Sequence, residues 1–141
     1  MRAQRNAYDA ALAVSGADIV EIGDADETLE MELEGSINEK TAGVVYFAST
    51  LYQRGSLPLE NVIAIAKKYK VPVIVDAAAQ LPPKENLKRF TEAGADMVIF
   101  SGGKTLCGPQ DSGVIFGTKQ WIERCIRFGA PEHGICRVSK T

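Results

Sequence analysis

The sequence predicts a three-layer α/β fold: a mostly parallel sheet with helices on both faces and a last strand that runs antiparallel to the others. Short runs rich in Val and Ile alternate with amphipathic helical patterns, and this alternation is typical of strand–helix–strand crossovers. The 141 residues correspond to one domain, and a hydrophobic fraction of 45% is sufficient to build a core.

Taken in order, the predicted strands are ADIVEIG at 17–23, AGVVYFAS at 42–49, VPVIVDA at 71–77, ADMVIFS at 95–101 and SGVIFGT at 112–118. A helix over 6–17 leads into the first strand. The pattern at 59–70 predicts a second helix with one apolar face, and a third over 84–94 is expected to end at Gly94. The last strand follows a short loop without a crossover helix, so we expect it to be antiparallel.

Composition limits the possible partners. Sixteen Lys and Arg against 18 Asp and Glu leave no broad positive surface for nucleic acid or an anionic membrane, although this balance leaves a tRNA partner open. Three cysteines without a disulfide spacing, and the lack of an apolar leader or long apolar run, predict the cytoplasm. With His133 as the single histidine, a multi-histidine metal site is unavailable and no metal is assigned.

Lys104 stands behind two glycines in SGGKTLCGPQDSG, directly after an apolar run. It has three interpretations. The first is the tail of a nucleotide phosphate loop, which would need glycine at position 98, where Val98 stands. The second is a nucleophilic lysine on a sharp turn at a strand end. The third is a solvated surface lysine.

Asp76 ends the predicted strand before the one that precedes Lys104. If these two strands are neighbours, about 5 Å apart, the carboxylate and the amine share the carboxyl edge of the sheet, where ligands bind in open parallel sheets. This pair suits pyridoxal-phosphate chemistry, because the lysine condenses with an aldehyde and the aspartate keeps a pyridine nitrogen protonated. Asp76 could equally cap the following turn.

The stretch VPVIVDAAAQLPPKENLKRFTEAGADMVIFSGGKTLCGPQDSGVIFG resembles the core of the fold type I, aspartate-aminotransferase-like pyridoxal-phosphate enzymes. It is most similar to the group that contains bacterial selenocysteine synthase (L-seryl-tRNA selenium transferase) and D-glucosaminate-6-phosphate ammonia-lyase. The resemblance extends upstream through GADIVEIG and INEKTAGVVYFAS. It implies a lyase or transferase that performs elimination or replacement on a small amino acid or amino-sugar-acid substrate.

The resemblance also implies roles for individual residues. Lys104 would form the Schiff base with pyridoxal 5'-phosphate, and Asp76 would partner the pyridine nitrogen. Ala78 would pack against the ring, Ser101 would contact the phosphate, and Gln80 would reach the phenolic oxygen of the ring.

Two parts that the family carries are not recognised in this chain: a glycine-rich phosphate cup upstream and a C-terminal small domain. Residues 1–141 are therefore expected to form a partial cofactor-binding large domain that is inactive by itself and self-associates through exposed sheet edges. The alternative is a non-enzymatic α/β remnant or interaction domain without a working cofactor site.

Overall fold

A computed structural model describes residues 9–24, 26–49 and 54–128. Its centre is a four-stranded sheet in the order β1 (Val44–Phe47), β2 (Val73–Asp76), β3 (Met97–Ser101) and β4 (Gly113–Gly117). The pairs β1–β2 and β2–β3 are parallel, whereas β3–β4 is antiparallel. The mostly parallel sheet with an antiparallel last strand is confirmed.

Five helices accompany the sheet within the described residues: α1 (Asp9–Val14), α2 (Glu30–Ser36), α3 (Leu59–Lys68), α4 (Asn86–Glu92) and α5 (Lys119–Phe128). The expected apolar face of α3 is buried. Helix α4 ends at Glu92, just before Gly94, which was predicted as its C-terminal stop. Gly94 has a φ of 105°, a conformation that glycine adopts readily. Helices α2 and α5 were not predicted from the sequence.

Helices cover both faces of the sheet. Phe100 of β3 is fully buried, and its ring centroid lies 6.4 Å from that of Phe90 on α4. Met97 points to the opposite face, because it is an odd number of residues away, and its Sδ lies 3.7 Å from Sγ of Cys125 on α5. The structure therefore has three layers, helix, sheet and helix.

The better packed face carries the core. Val73, Val75, Val98 and Phe100 are at most 1% exposed, and they form one cluster with the apolar side of α3 and with Phe90. The opposite face is less covered, since Ile99 is 36% exposed. A half-open face at the ends of β2 and β3 leaves room for a ligand.

The strand predicted over 17–23 is wrong. Residues 17–22 form neither helix nor strand, and Ile19 and Val20 are 38% and 70% exposed. A strand exists only through hydrogen bonds to a neighbour, and no strand of the described residues pairs with this segment. The helix expected over 6–17 is present as α1, while its predicted start at 6–8 lies outside the described residues, as do His133 and Cys136.

Searching the described residues for a helix both long and apolar enough to span a membrane finds none.

Candidate functional site at the carboxyl ends of β2 and β3

Asp76 and Ser101 lie on the same face of the sheet. Asp76 is opposite Ile99 in the parallel register of β2 and β3, and Ser101 is two residues further along β3. Side chains two residues apart on a strand share a face, so Ser101 stands on the half-open side, about 7 Å beyond the level of Asp76. The strand that ends at Asp76 and the strand that precedes Lys104 are neighbours, as expected.

The carboxylate of Asp76 is held by its own turn. The backbone N–H of Ala78 donates to Oδ1 at 3.0 Å, and among the described residues Oδ2 has no hydrogen-bond partner. The side chain is half-buried. Asp76 thus does cap the turn after β2, yet one carboxylate oxygen stays available to a ligand on the open face.

The loop after β2, residues 77–85, contains two further candidate residues, Ala78 and Gln80. Ala77 is fully buried and its N–H donates to the carbonyl of Ile99 at 2.9 Å, which anchors the loop to β3. Gln80 closes a turn by donating its N–H to the carbonyl of Ala77 at 3.0 Å. Ala78 and Gln80 are half-buried, so both can contact a group bound at this edge.

Lys104 lies in the loop of residues 102–112 that joins β3 to β4. Its side chain is exposed, and within the described part of the chain the amine has no hydrogen-bond or ion-pair partner. The carbonyl of Lys104 accepts from the N–H of Cys107 at 2.9 Å, and Cys107 has φ 54°. The lysine therefore stands on a tight turn after the strand end, which fits its interpretation as a nucleophile, while its exposure also fits a solvated surface lysine.

The glycines around Lys104 allow the loop to fold back on itself. A Cβ on Gly103 would lie 2.6 Å from Cα of Gln110, and one on Gly102 would strike Ser112. The N–H of Gly102 donates to the carbonyl of Ser112 at 2.8 Å, and the N–H of Gly108 donates to that of Gly102 at 2.8 Å. Close backbone approach, rather than a nucleotide phosphate loop, explains these glycines.

Two further residues tie this region together. The hydroxyl of Thr105 donates to the carbonyl of Leu81 at 2.6 Å, and Asn86 Nδ2 donates to the carbonyl of Gln80 at 2.6 Å. Asn86 is only 8% exposed, which is rare for an amide unless its hydrogen bonds are satisfied. Neither residue could be predicted as part of the site from the sequence, because the tertiary fold determines their hydrogen-bond partners.

Local contacts shift the pKa of three side chains, those of Tyr46, Lys68 and Asp24. The pKa of Tyr46 is raised, chiefly by burial and then by the charge of Glu60. The pKa of Lys68 is raised by its hydrogen bond to Glu34, and that of Asp24 is lowered by the backbone N–H groups of Asp26 and Glu27.

The residues at the edge fit pyridoxal phosphate. They offer a primary amine, a carboxylate oxygen for a ring N–H and the hydroxyl of Ser101, for which the described residues show no hydrogen-bond partner. Among the described residues, no group of three His, Cys, Asp or Glu side chains is placed to hold a metal ion.

Comparison with known proteins finds a match over residues 9–138 to the family model described as L-seryl-tRNA selenium transferase. The D-glucosaminate-6-phosphate ammonia lyase of Salmonella typhimurium is 40% identical over 131 residues, 92% of this chain and 33% of that protein. A 5'-C-glycyluridine monooxygenase-decarboxylase from Streptomyces sp is 36% identical, covering 92% of this chain and 31% of its own length.

An L-seryl-tRNA(Sec) selenium transferase of Nitratidesulfovibrio vulgaris is 32% identical over 80% of this chain and 27% of its own length. A solved structure of D-glucosaminate-6-phosphate ammonia-lyase superposes with a TM-score of 0.76 at 39% identity, over 84% of this chain and 31% of that one. The chain thus spans about a third of the length of the relatives that it matches.

Proposed function

Because this chain belongs to the L-seryl-tRNA selenium transferase family, we propose that it forms part of a pyridoxal-phosphate-dependent lyase or transferase. The observation that carries the proposal is the placement of Asp76 and Lys104 after adjacent parallel strands, with one oxygen of Asp76 available.

The bound cofactor would supply an electron sink for the substrate carbon that bears the amino group. Lys104 would attach it covalently and, once released by the substrate amine, would move the proton at that carbon. Asp76 would accept the ring N–H through Oδ2 and keep the nitrogen protonated. Both roles require the amine and the carboxylate at the same edge of the sheet.

Three smaller contacts complete the proposed site. The hydroxyl of Ser101 would donate to the phosphate, the methyl group of Ala78 would pack on the ring, and the amide of Gln80 would reach the phenolic oxygen. The support for these roles is their position, since all three residues are half-buried at the same edge.

The substrate that we propose is a small amino acid or amino-sugar acid, and the reaction an elimination or replacement. The relatives are named for glucosaminate, glycyluridine and seryl-tRNA, compounds that each contain an amino acid or amino-acyl unit. Their names describe different reactions. A formal charge of -2 favours the small substrate over a tRNA. The free thiols of Cys107 and Cys125 support the cytoplasm as the compartment.

We further propose that residues 1–141 represent a central part of the large domain and that they self-associate. The edge strand β4 supports this, since Val114, Ile115 and Phe116 are 38%, 43% and 38% exposed. An apolar edge of this kind pairs readily with another chain. The alternative function is an interaction domain without a cofactor site. Such a domain would use the same surface of β4.

A cofactor titration separates the two functions. The purified chain is mixed with rising pyridoxal phosphate while visible absorbance is followed, with sedimentation in parallel. We expect a saturable band only well above micromolar cofactor, because among the described residues the proposed site offers the phosphate only the hydroxyl of Ser101, and each charge-assisted hydrogen bond to it is worth roughly 1.5 to 3 kcal/mol. A band that never saturates would favour the rival, and micromolar affinity in a monomer would contradict the partial-site account.

A further inference from the structure

Two loops border the candidate site, and a side-chain hydrogen bond joins them. We call residues 77–85, which follow Asp76, the Asp76 loop, and residues 102–112, which contain Lys104, the Lys104 loop. Thr105 Oγ1, in the Lys104 loop, donates to the carbonyl of Leu81 in the Asp76 loop at 2.6 Å. The two partners are 24 residues apart in the chain, so the bond fixes tertiary rather than local geometry.

The acceptor belongs to a well-anchored part of the Asp76 loop. The side chain of Leu81 packs against the hydrophobic core. The preceding carbonyl, that of Gln80, accepts from Nδ2 of the buried Asn86 at 2.6 Å. The carbonyl of Leu81 is therefore a fixed point to which another segment can be attached.

The donor sits one residue after Lys104. Backbone hydrogen bonds close the Lys104 loop on itself, through Gly102 with Ser112 and through Gly108 with Gly102. The lysine side chain has no partner among the described residues that would orient it. Its position relative to Asp76 must therefore come from the backbone, and Thr105 attaches that backbone to the opposite loop.

We propose that Thr105 is a positioning residue for Lys104: its hydroxyl holds the lysine turn against the Asp76 loop and so sets the distance between the amine and the carboxylate. The inference rests on the proposed function, because it assumes that Lys104 reacts with the cofactor. Small displacements of a reacting group cause large losses of rate, so a bond of ordinary strength suffices for this role.

The test compares Thr105→Val, which keeps the shape and removes the donor, with Thr105→Ser, which keeps the hydroxyl. The full chain is incubated with pyridoxal phosphate, reduced with borohydride and digested, and the ratio of label at Lys104 to label at Lys119 is measured by mass spectrometry. Lys119 serves as an internal reference because its side chain is 90% exposed. We expect the ratio to fall about tenfold in Thr105→Val and to stay within about twofold in Thr105→Ser.

Each failure has its own signature. If the parent chain shows no preference for Lys104 over Lys119, the proposed function fails, and the role of Thr105 falls with it. If the parent prefers Lys104 and Thr105→Val keeps the full ratio, only the positioning role is overturned. Thr105 is exposed, so we expect both variants to keep the parent circular dichroism. Unfolding of Thr105→Val would make the residue a determinant of the fold and would also overturn the inference.

Discussion

The backbone N–H of Ala78 donates to Oδ1 of Asp76 at 3.0 Å, so the turn that follows β2 orients the carboxylate at its own strand end. This bond reconciles two interpretations of Asp76 that compete in the sequence. The residue caps the turn with one oxygen, and the proposed cofactor contact uses the other.

Asp76→Asn is expected to leave the fold intact and to remove function. The Asn side-chain oxygen can still accept from Ala78, but a neutral amide cannot hold the ring nitrogen protonated. In a complete enzyme that contains this chain, kcat should fall by about 100- to 1000-fold. Steady-state kinetics and circular dichroism of the same preparation give both quantities.

Asp96→Asn is the matched control. Oδ2 of Asp96 accepts from the N–H of Val73 at 2.9 Å, a comparable bond at the opposite end of β2. Turnover should stay within a few-fold of the parent. Activity of Asp76→Asn equal to that of the control would reduce Asp76 to a structural cap.

Gly103→Ala should destabilise the chain by about 1–3 kcal/mol, because the new Cβ would lie 2.6 Å from Cα of Gln110, and backbone has to move. Gly35→Ala offers the control, since Gly35 is an exposed residue of α2 with no atom within 4 Å of an added Cβ. That variant should gain roughly 0.5–1 kcal/mol. Urea unfolding measures both, and equal stability of the two variants would show that the Lys104 loop is not closely packed.

The alkaline limb of stability should depend on Tyr46. Burial and the charge of Glu60 raise the pKa of the Tyr46 hydroxyl in the folded protein above its value of about 10 in the unfolded chain. The resulting stabilisation is present below pH of about 10 and is lost as pH rises through the folded pKa. Tyr46→Phe should flatten this loss in unfolding curves across that range, and an unchanged slope would contradict the assignment.

Local patterns predicted the four strands of the sheet well because the strands are short and rich in Val and Ile. β2 shows this best, with Val73 and Val75 almost fully buried. The same signal failed at 17–23, where apolar residues have no strand to pair with among the described residues. An apolar run in the sequence indicates only a propensity for a strand. Whether the strand forms depends on a neighbouring strand with which it can pair.

The candidate site, too, could be predicted only in part. The order of Asp76 and Lys104 after successive apolar runs predicted their shared edge, because successive parallel strands are often neighbours. The bond from Thr105 to Leu81 and the burial of Asn86 could not be predicted, since both depend on how two loops approach each other. Their positions in the chain give no periodic or spacing signal.

The most direct test of the central claim is to locate the covalent attachment of the cofactor. The chain is treated with pyridoxal phosphate and borohydride, and the labelled peptides are mapped, with Lys104→Ala as the control. The account predicts a label concentrated at Lys104 and lost in Lys104→Ala. A label on Lys119 or Lys140 instead, or labelling that Lys104→Ala leaves unchanged, would contradict it.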